Sequence, residues 1–98
     1  MIYNQNSMWR WNRYMADINS GQVTLDQLPM NHVGTVTGLD SRGLERRRMM
    51  DLGILPGTQI SIEMKNPLGD PTAYRIRGAV IALRREQAQT IRISVDSN

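Results

Sequence analysis

Few side chains in this sequence could carry out covalent chemistry. Cysteine is absent and His32 is the single histidine. No Ser or acid lies near it at a triad-like spacing, so neither a thiolate nor a Ser-His relay is on offer. The nine acids are spread along the chain, with no close pair of the glycosidase or metal-site kind. Spacing therefore argues for no metal ligand set and no resident cofactor, and His32 stands as a surface residue able to respond to pH. The stretches Gly53–Gly57 (GILPG) and Pro67–Pro71 (PLGDP) lack the trailing Lys-Ser/Thr and the strand-to-helix setting of a phosphate loop. What remains is binding.

The residues suited to binding lie between Ser41 and Ile60. Arg42 and the run Arg46, Arg47, Arg48 put positive charge on a helix expected at about 42–53, partly offset by Glu45 and Asp51. The plain reading of such a run is a solvated face. The sharper one is docking to an acidic partner or to phosphates. Asp40 and Ser41 can cap the helix. Leu44, Arg48 and Leu52 fall at i, i+4 and i+8, with Met49 three before Leu52. This stripe is expected to face the core, the Arg48 stem lying along it. Gly53 occupies the position where a left-handed helix stop favours glycine. Ile54, Leu55, Pro56 and Gly57 then give two large apolar residues and a Pro-Gly turn. A loop of this kind either buries its Ile and Leu or offers them to a partner. As a partner surface it comprises Arg46, Arg47, Leu52, Gly53, Ile54, Leu55, Pro56 and Gly57.

These residues need a scaffold, and the remaining pattern describes one. Residues 24–29 predict a single helical turn, Thr24 and Gln27 at capping-box spacing and Pro29 closing it. Strands are predicted at 32–40, 58–64, 72–77, 79–83 and 90–95. In the first, Val33, Thr35, Thr37 and Leu39 share one face, Val36 lies on the other, and Gly34 and Gly38 allow a bend or bulge. In the second, Ile60, Ile62 and Met64 point inward. In the third, Ala73, Arg75 and Arg77 oppose Tyr74 and Ile76. Gly78 breaks it, and residues 84–89 form a polar helical turn. Five short strands with one inserted helix indicate a mainly β protein, a small, strongly bent barrel.

The domain is expected at residues 23–95, with 96–98 a tail and 1–22 an extension. That extension holds four of the five aromatic residues, Tyr3, Trp9, Trp11 and Tyr14. Ser7 could cap a helix with Met8, Trp11, Met15 and Ile18 on one stripe. It either packs on the domain or frays, or it touches a membrane surface with Arg10 and Arg13 near the headgroups. Net charge is +3, and of 12 basic residues only Lys65 is not Arg, a bias suited to carboxylate or phosphate recognition. Nucleic acid is not expected as a partner, because base-stacking barrels interleave aromatics with their cations and the barrel portion has only Tyr74. No run of about 18 apolar residues or basic-then-apolar leader occurs, so a cytoplasmic location is expected.

The motifs LGILPG (Leu52–Gly57), PLGDP (Pro67–Pro71) and RGAVIALRREQA (Arg77–Ala88) occur in the order and spacing of the FeoA family, small cytoplasmic proteins of bacterial ferrous iron uptake. TLDQLP (Thr24–Pro29) resembles the usual FeoA start, and the resemblance covers about Thr24 to Val95. It implies an SH3-like barrel without catalytic activity. It also implies a partner, the GTP-hydrolysing iron permease FeoB, contacted through its cytoplasmic portion, which would place the chain peripherally at the inner membrane. The Leu52–Gly57 loop and its helix become the partner-facing surface. The same barrel closes DtxR-type iron-dependent repressors, so a regulatory module that senses metal or binds a peptide is the alternative. The first 22 residues depart from the family pattern.

Overall fold

The computed structural model describes residues 22–96. The helix expected within the first 22 residues lies outside them. Nine elements follow one another: β1 (Gln22–Thr24), a 3-10 turn (Leu25–Gln27), β2 (Val33–Leu39), α1 (Gly43–Asp51), β3 (Gln59–Lys65), β4 (Thr72–Ile76), β5 (Ala79–Leu83), α2 (Arg85–Ala88) and β6 (Ile91–Val95). The strands form one antiparallel sheet in the order β1-β6-β2-β3-β4-β5. Strands, turn and helix share one core, in which Leu25, Leu28, Val36, Met49, Ile54, Ile60, Ile76, Ile91 and Ile93 are almost wholly buried.

The strands and the inserted helix fall where the sequence placed them, with one addition. Gln22–Thr24 makes a sixth strand, Val23 pairing with Ile93. Three residues with one large apolar side chain are too few to show an alternation. The turn that follows is capped as expected, Gln27 Oε1 accepting from the Thr24 backbone N–H at 3.2 Å. Its Leu25 is buried.

Two bulges overturn the expected faces. In β2 the buried residues are Gly34, Val36 and Leu39, so Val36 points in and Thr37 out. The β2–β6 register slips between Val36 and Gly38. An extra residue at a bulge changes the phase of the pleat, which lets Val36 and Leu39 reach the same core despite their odd spacing. In β3, Ile60 is buried and Ile62 half-buried, but the register slips again between Ile62 and Met64. Met64 is turned out and 66% exposed. Glu63 sits at this bulge and forms an ion pair with Arg75 at 3.0 Å.

β4 keeps the expected alternation, with Tyr74 and Ile76 buried and Arg75 exposed. Burial, with the Asp26 and Asp70 carboxylates adding to it, pushes the Tyr74 hydroxyl above its ordinary value, against a side-chain hydrogen bond from Thr72. A raised pKa means that the folded chain holds this proton more tightly than the unfolded one. The resulting stability is complete below the ordinary tyrosine value near 10 and is lost as pH rises through the folded value. Urea midpoints should therefore show no Tyr74 contribution to pH dependence between about pH 7 and 9 and a decline above about pH 10. Tyr74→Phe should flatten that part of the decline.

Candidate functional site

The end of α1 decides what its loop can offer. Leu52 N–H donates to Arg48 O at 3.1 Å, Gly53 N–H to Met50 O at 2.9 Å and Ile54 N–H to Met49 O at 3.0 Å. Gly53 has φ +90°. This is a Schellman ending, whose paired bonds satisfy the last helical carbonyls and bring an apolar residue after the glycine back toward one in the last turn. Here those residues are Ile54 and Met49, each 0% exposed within one core cluster. Ile54 is thus part of the core. It cannot lend a side chain to a partner, contrary to its expected role as an anchor.

Leu55, Pro56 and Gly57 have the opposite fate. The turn that carries them is pinned from several sides. Thr58 Oγ1 donates to Gly53 O at 2.9 Å, Gly57 N–H donates to Val36 O at 2.8 Å, and Val36 N–H donates to Thr58 O at 2.8 Å. The turn is therefore held by hydrogen bonds to β2 and to the helix end. With Val33, Thr58, Gln59, Ile60, Ser61, Arg75, Arg77 and Gly78 it lines an open groove of about 660 Å³. Pro56 and Gly57 are exposed and Leu55 is half-buried. Besides the turn, its lining includes the polar side chains of Thr58, Gln59 and Ser61 and two arginines. Arg75 is engaged by Glu63. Arg77 has no ion pair among the described residues. Such a cleft suits a partner chain bearing apolar and acidic side chains.

Leu52, Gly53, Arg46 and Arg47 do not line this groove. Arg46 turns back and donates from Nη1 to Leu39 O at 3.0 Å, so part of its charge is spent on fixing the helix to β2. Arg47 is exposed, as are Arg42 and Arg48. The expected core stripe of α1 is overturned as well. Leu44 is 84% exposed, Leu52 is 36% exposed, and Arg48 faces solvent with them. Met49 is the only α1 residue in the core. The flanking contacts are polar, Arg46 to Leu39 O on one side and Gln87 Nε2 to Glu45 Oε1 at 3.3 Å on the other. The caps differ too, because Arg42 is the cap residue. Asp40 instead binds Arg92 at 3.2 Å, and Ser41 Oγ is buried without a partner.

Of the expected partner surface only Leu55, Pro56 and Gly57 line the groove; among the residues it omitted, Arg75 and Arg77 carry charge, and both stood on the polar face of the alternation expected for residues 72–77. Arg77 owes its position to the turn. Arg77 and Gly78 have φ +52° and +83°, and Ile76 pairs with Ala79, which makes a two-residue type I′ hairpin. Its tip leans on the helix end, since a Cβ built on Gly53 would lie 2.8 Å from Arg77 Cδ. Among the described residues no group of three His, Asp or Glu side chains could hold a metal ion, and no helix is long and apolar enough to cross a membrane.

The FeoA domain family matches residues 23–95. The chain belongs to the FeoA family. Membership brings the SH3-like fold. A curated relative from Porphyromonas gingivalis, the Fe(2+) transport protein A/Fe(2+) transporter FeoB fusion protein, is 31% identical over 76 residues. Those residues are 78% of this chain, which spans only 9% of the fusion protein. The solution structure of a FeoA-like protein from Clostridium acetobutylicum is 36% identical, with 80% of this chain and 91% of that one aligned at a TM-score of 0.72. A zinc-complexed FeoA from Stenotrophomonas maltophilia, described as a prokaryotic SH3 domain protein, is 25% identical over 76% of this chain and 91% of that one, with a TM-score of 0.63. The iron-dependent repressor IdeR of T. acidophilum shares the fold at 20% identity and a TM-score of 0.66, over 76% of this chain and 34% of that one.

Two substitutions separate loop from core. Ile54→Asp should abolish cooperative unfolding, whereas Leu55→Asp should keep the amide spectrum and urea midpoint of a folded chain. At the helix end, Gly53→Ala should cost about 1–2 kcal/mol for its left-handed backbone, plus the clash with Arg77. In an Arg77→Ala background the clash disappears, so a double-mutant cycle by urea denaturation should return a smaller cost for the same Gly53→Ala change.

Proposed function

We propose that this chain is a non-enzymatic accessory protein of ferrous iron uptake that docks on the cytoplasmic GTP-binding portion of a FeoB-type transporter and modulates transport. The observation that carries this reading is the fusion relative, in which Fe(2+) transport protein A and FeoB are one polypeptide. Tethering two modules raises their effective concentration, and such a fusion is useful where the two already meet. Leu55, Pro56 and Gly57 supply the rigid apolar part of the surface, with Arg77 opposite. Arg47 and the exposed Leu44 and Leu52 extend it along α1. A turn already held in its bound shape loses little freedom on association, which favours affinity.

A second reading, a metal-responsive regulatory module, is favoured by the zinc complex of the Stenotrophomonas relative. Calorimetry with Fe²⁺ or Mn²⁺ separates the two, because transporter docking requires no tight metal site. The docking reading itself is tested by titrating the ¹⁵N-labelled full chain with the GTP-binding portion of FeoB. Amide shifts should cluster on residues 44–57 and on Arg77. Leu55→Asp should weaken binding by about tenfold or more, as for an apolar anchor. Arg47→Glu should weaken binding and reduce its salt dependence. Unchanged spectra with and without nucleotide would overturn the reading.

A further inference from the structure

The sheet is open, and its two edges are unlike. At one end β1 contributes three residues, Gln22–Thr24. At the other, β5 (Ala79–Leu83, AVIAL) is bonded to β4 alone among the described strands. Natural edge strands are usually short, charged, bulged or interrupted by proline, because a bare edge is a template for another strand. β5 has none of these protections. It contains no charged residue and no proline, its register with β4 runs unbroken, and Ala79, Val80 and Ala82 are exposed.

Hairpin geometry fixes which backbone groups are free. In a two-residue hairpin the pair flanking the turn exchanges both hydrogen bonds, and bonded and non-bonded pairs then alternate. Ile76↔Ala79, Tyr74↔Ile81 and Thr72↔Leu83 are therefore the bonded pairs, and Arg75↔Val80 and Ala73↔Ala82 the others. Val80 and Ala82 aim their N–H and C=O groups away from β4, about 6.6 Å apart along the strand. Side chains continue the theme. Ile81 points inward and is only half-buried, because nothing described lies beyond it. Val80, 52% exposed, lies on the outer face.

Charge marks both ends of this edge. Arg77 stands at the turn, and Arg84 and Arg85 follow the strand, all three exposed and without an ion pair among the described residues. A second copy of the chain would be a poor occupant in the register that pairs all five residues of β5. Antiparallel β5–β5 pairing centred on Ile81 sets Arg77 of one copy against Arg85 of the other, twice, and like charges directly opposite each other are unfavourable. The extension is no better matched, since residues 1–21 carry Arg10 and Arg13 against Asp17.

We propose that β5 is a strand-addition site for an extended segment of a protein partner, apolar in its middle and carrying Asp or Glu at both ends. The added strand bonds to Val80 and Ala82, lays alternate side chains over Ile81, and pairs its acidic ends with Arg77 and with Arg84 and Arg85. Backbone bonding supplies affinity in this mode, and the side-chain pockets and end charges supply selectivity. The inference rests on the docking reading only in taking a protein of the transport system as the source of that segment.

The test uses the full 98-residue chain, ¹⁵N-labelled, with two capped peptides: acetyl-EEVTVTVEE-amide and its counterpart acetyl-KKVTVTVKK-amide. With the acidic peptide, the Val80 and Ala82 amides should exchange about tenfold or more slowly, while Ile81, already bonded to β4, should not change. The lysine-ended peptide should bind about tenfold more weakly or not at all. Val80→Pro removes an outward N–H and no ladder bond, as proline is tolerated at such edge positions, and should abolish the protection. Ala82→Glu, which keeps the backbone and repels the acidic peptide, should weaken binding should Val80→Pro disturb the hairpin. Unprotected Val80 and Ala82 at saturating peptide would overturn the proposal, as would equal binding of both peptides. So would slow exchange of these amides in the free chain, which would mean that its own residues cover the edge, or a dimer in sedimentation equilibrium. If Val80→Pro binds the GTP-binding portion of FeoB as the parent does while Leu55→Asp does not, strand addition falls and the docking reading stands. If the parent chain fails to bind that portion yet captures the acidic peptide at β5, the docking reading falls alone.

Discussion

The paired hydrogen bonds that close α1 at Gly53 govern how this small protein presents itself. A helix inserted into a barrel has to return its chain to the sheet. The return here is made by one left-handed residue, which sends Ile54 into the core and throws the next three residues outward. Met49 and Ile54 together hold a nine-residue helix that otherwise touches the barrel through polar groups. Remove that turn, and the helix loses its apolar attachment while the groove loses a wall.

Polar attachment has a consequence for the exposed side of α1. Because the helix is fastened by Arg46 to a carbonyl and by Glu45 to Gln87, its leucines are not needed for packing. Leu44 and Leu52 stay outside, interleaved with arginines. Apolar residues that do not serve the fold, on an element held by other means, are what a docking face requires. Helix and turn thus carry exposed apolar and basic side chains on a base held by hydrogen bonds.

Much of this architecture was legible in the chain. The β4–β5 hairpin, the last strand, the capped turn at Leu25–Gln27 and the glycine stop at Gly53 follow from alternation and from the backbone demands of particular residues. The strand errors share one physical origin. The expected faces of β2 and β3 follow an unbroken alternation, although Gly34 and Gly38 allow a bend in β2, and a bulge in each strand changes which side chains reach the core. Gly38 hinted at the first; nothing in Glu63 announced the second. In α1, Leu44, Arg48 and Leu52 form a proper helical stripe, yet the stripe faces water. Periodicity tells which residues share a face, not which face is buried. The loop posed the same ambiguity for Ile54 and Leu55, adjacent residues of nearly equal hydrophobicity. Only the helix ending, which assigns one to the core and the next to the groove, separates them.

The contact between the hairpin tip and the helix end links two positions 24 apart in sequence, Gly53 and Arg77. The left-handed backbone at 53 already favours glycine, and the methylenes of Arg77 lie where a side chain there would begin. In evolutionary terms the pair is a single character. A lineage that shortens residue 77 is freed of the steric half of the demand for glycine at 53, whereas one that keeps the arginine keeps both halves. The basic wall of the groove and the shape of the helix stop should therefore be inherited together, which binds the charge of this surface to its geometry.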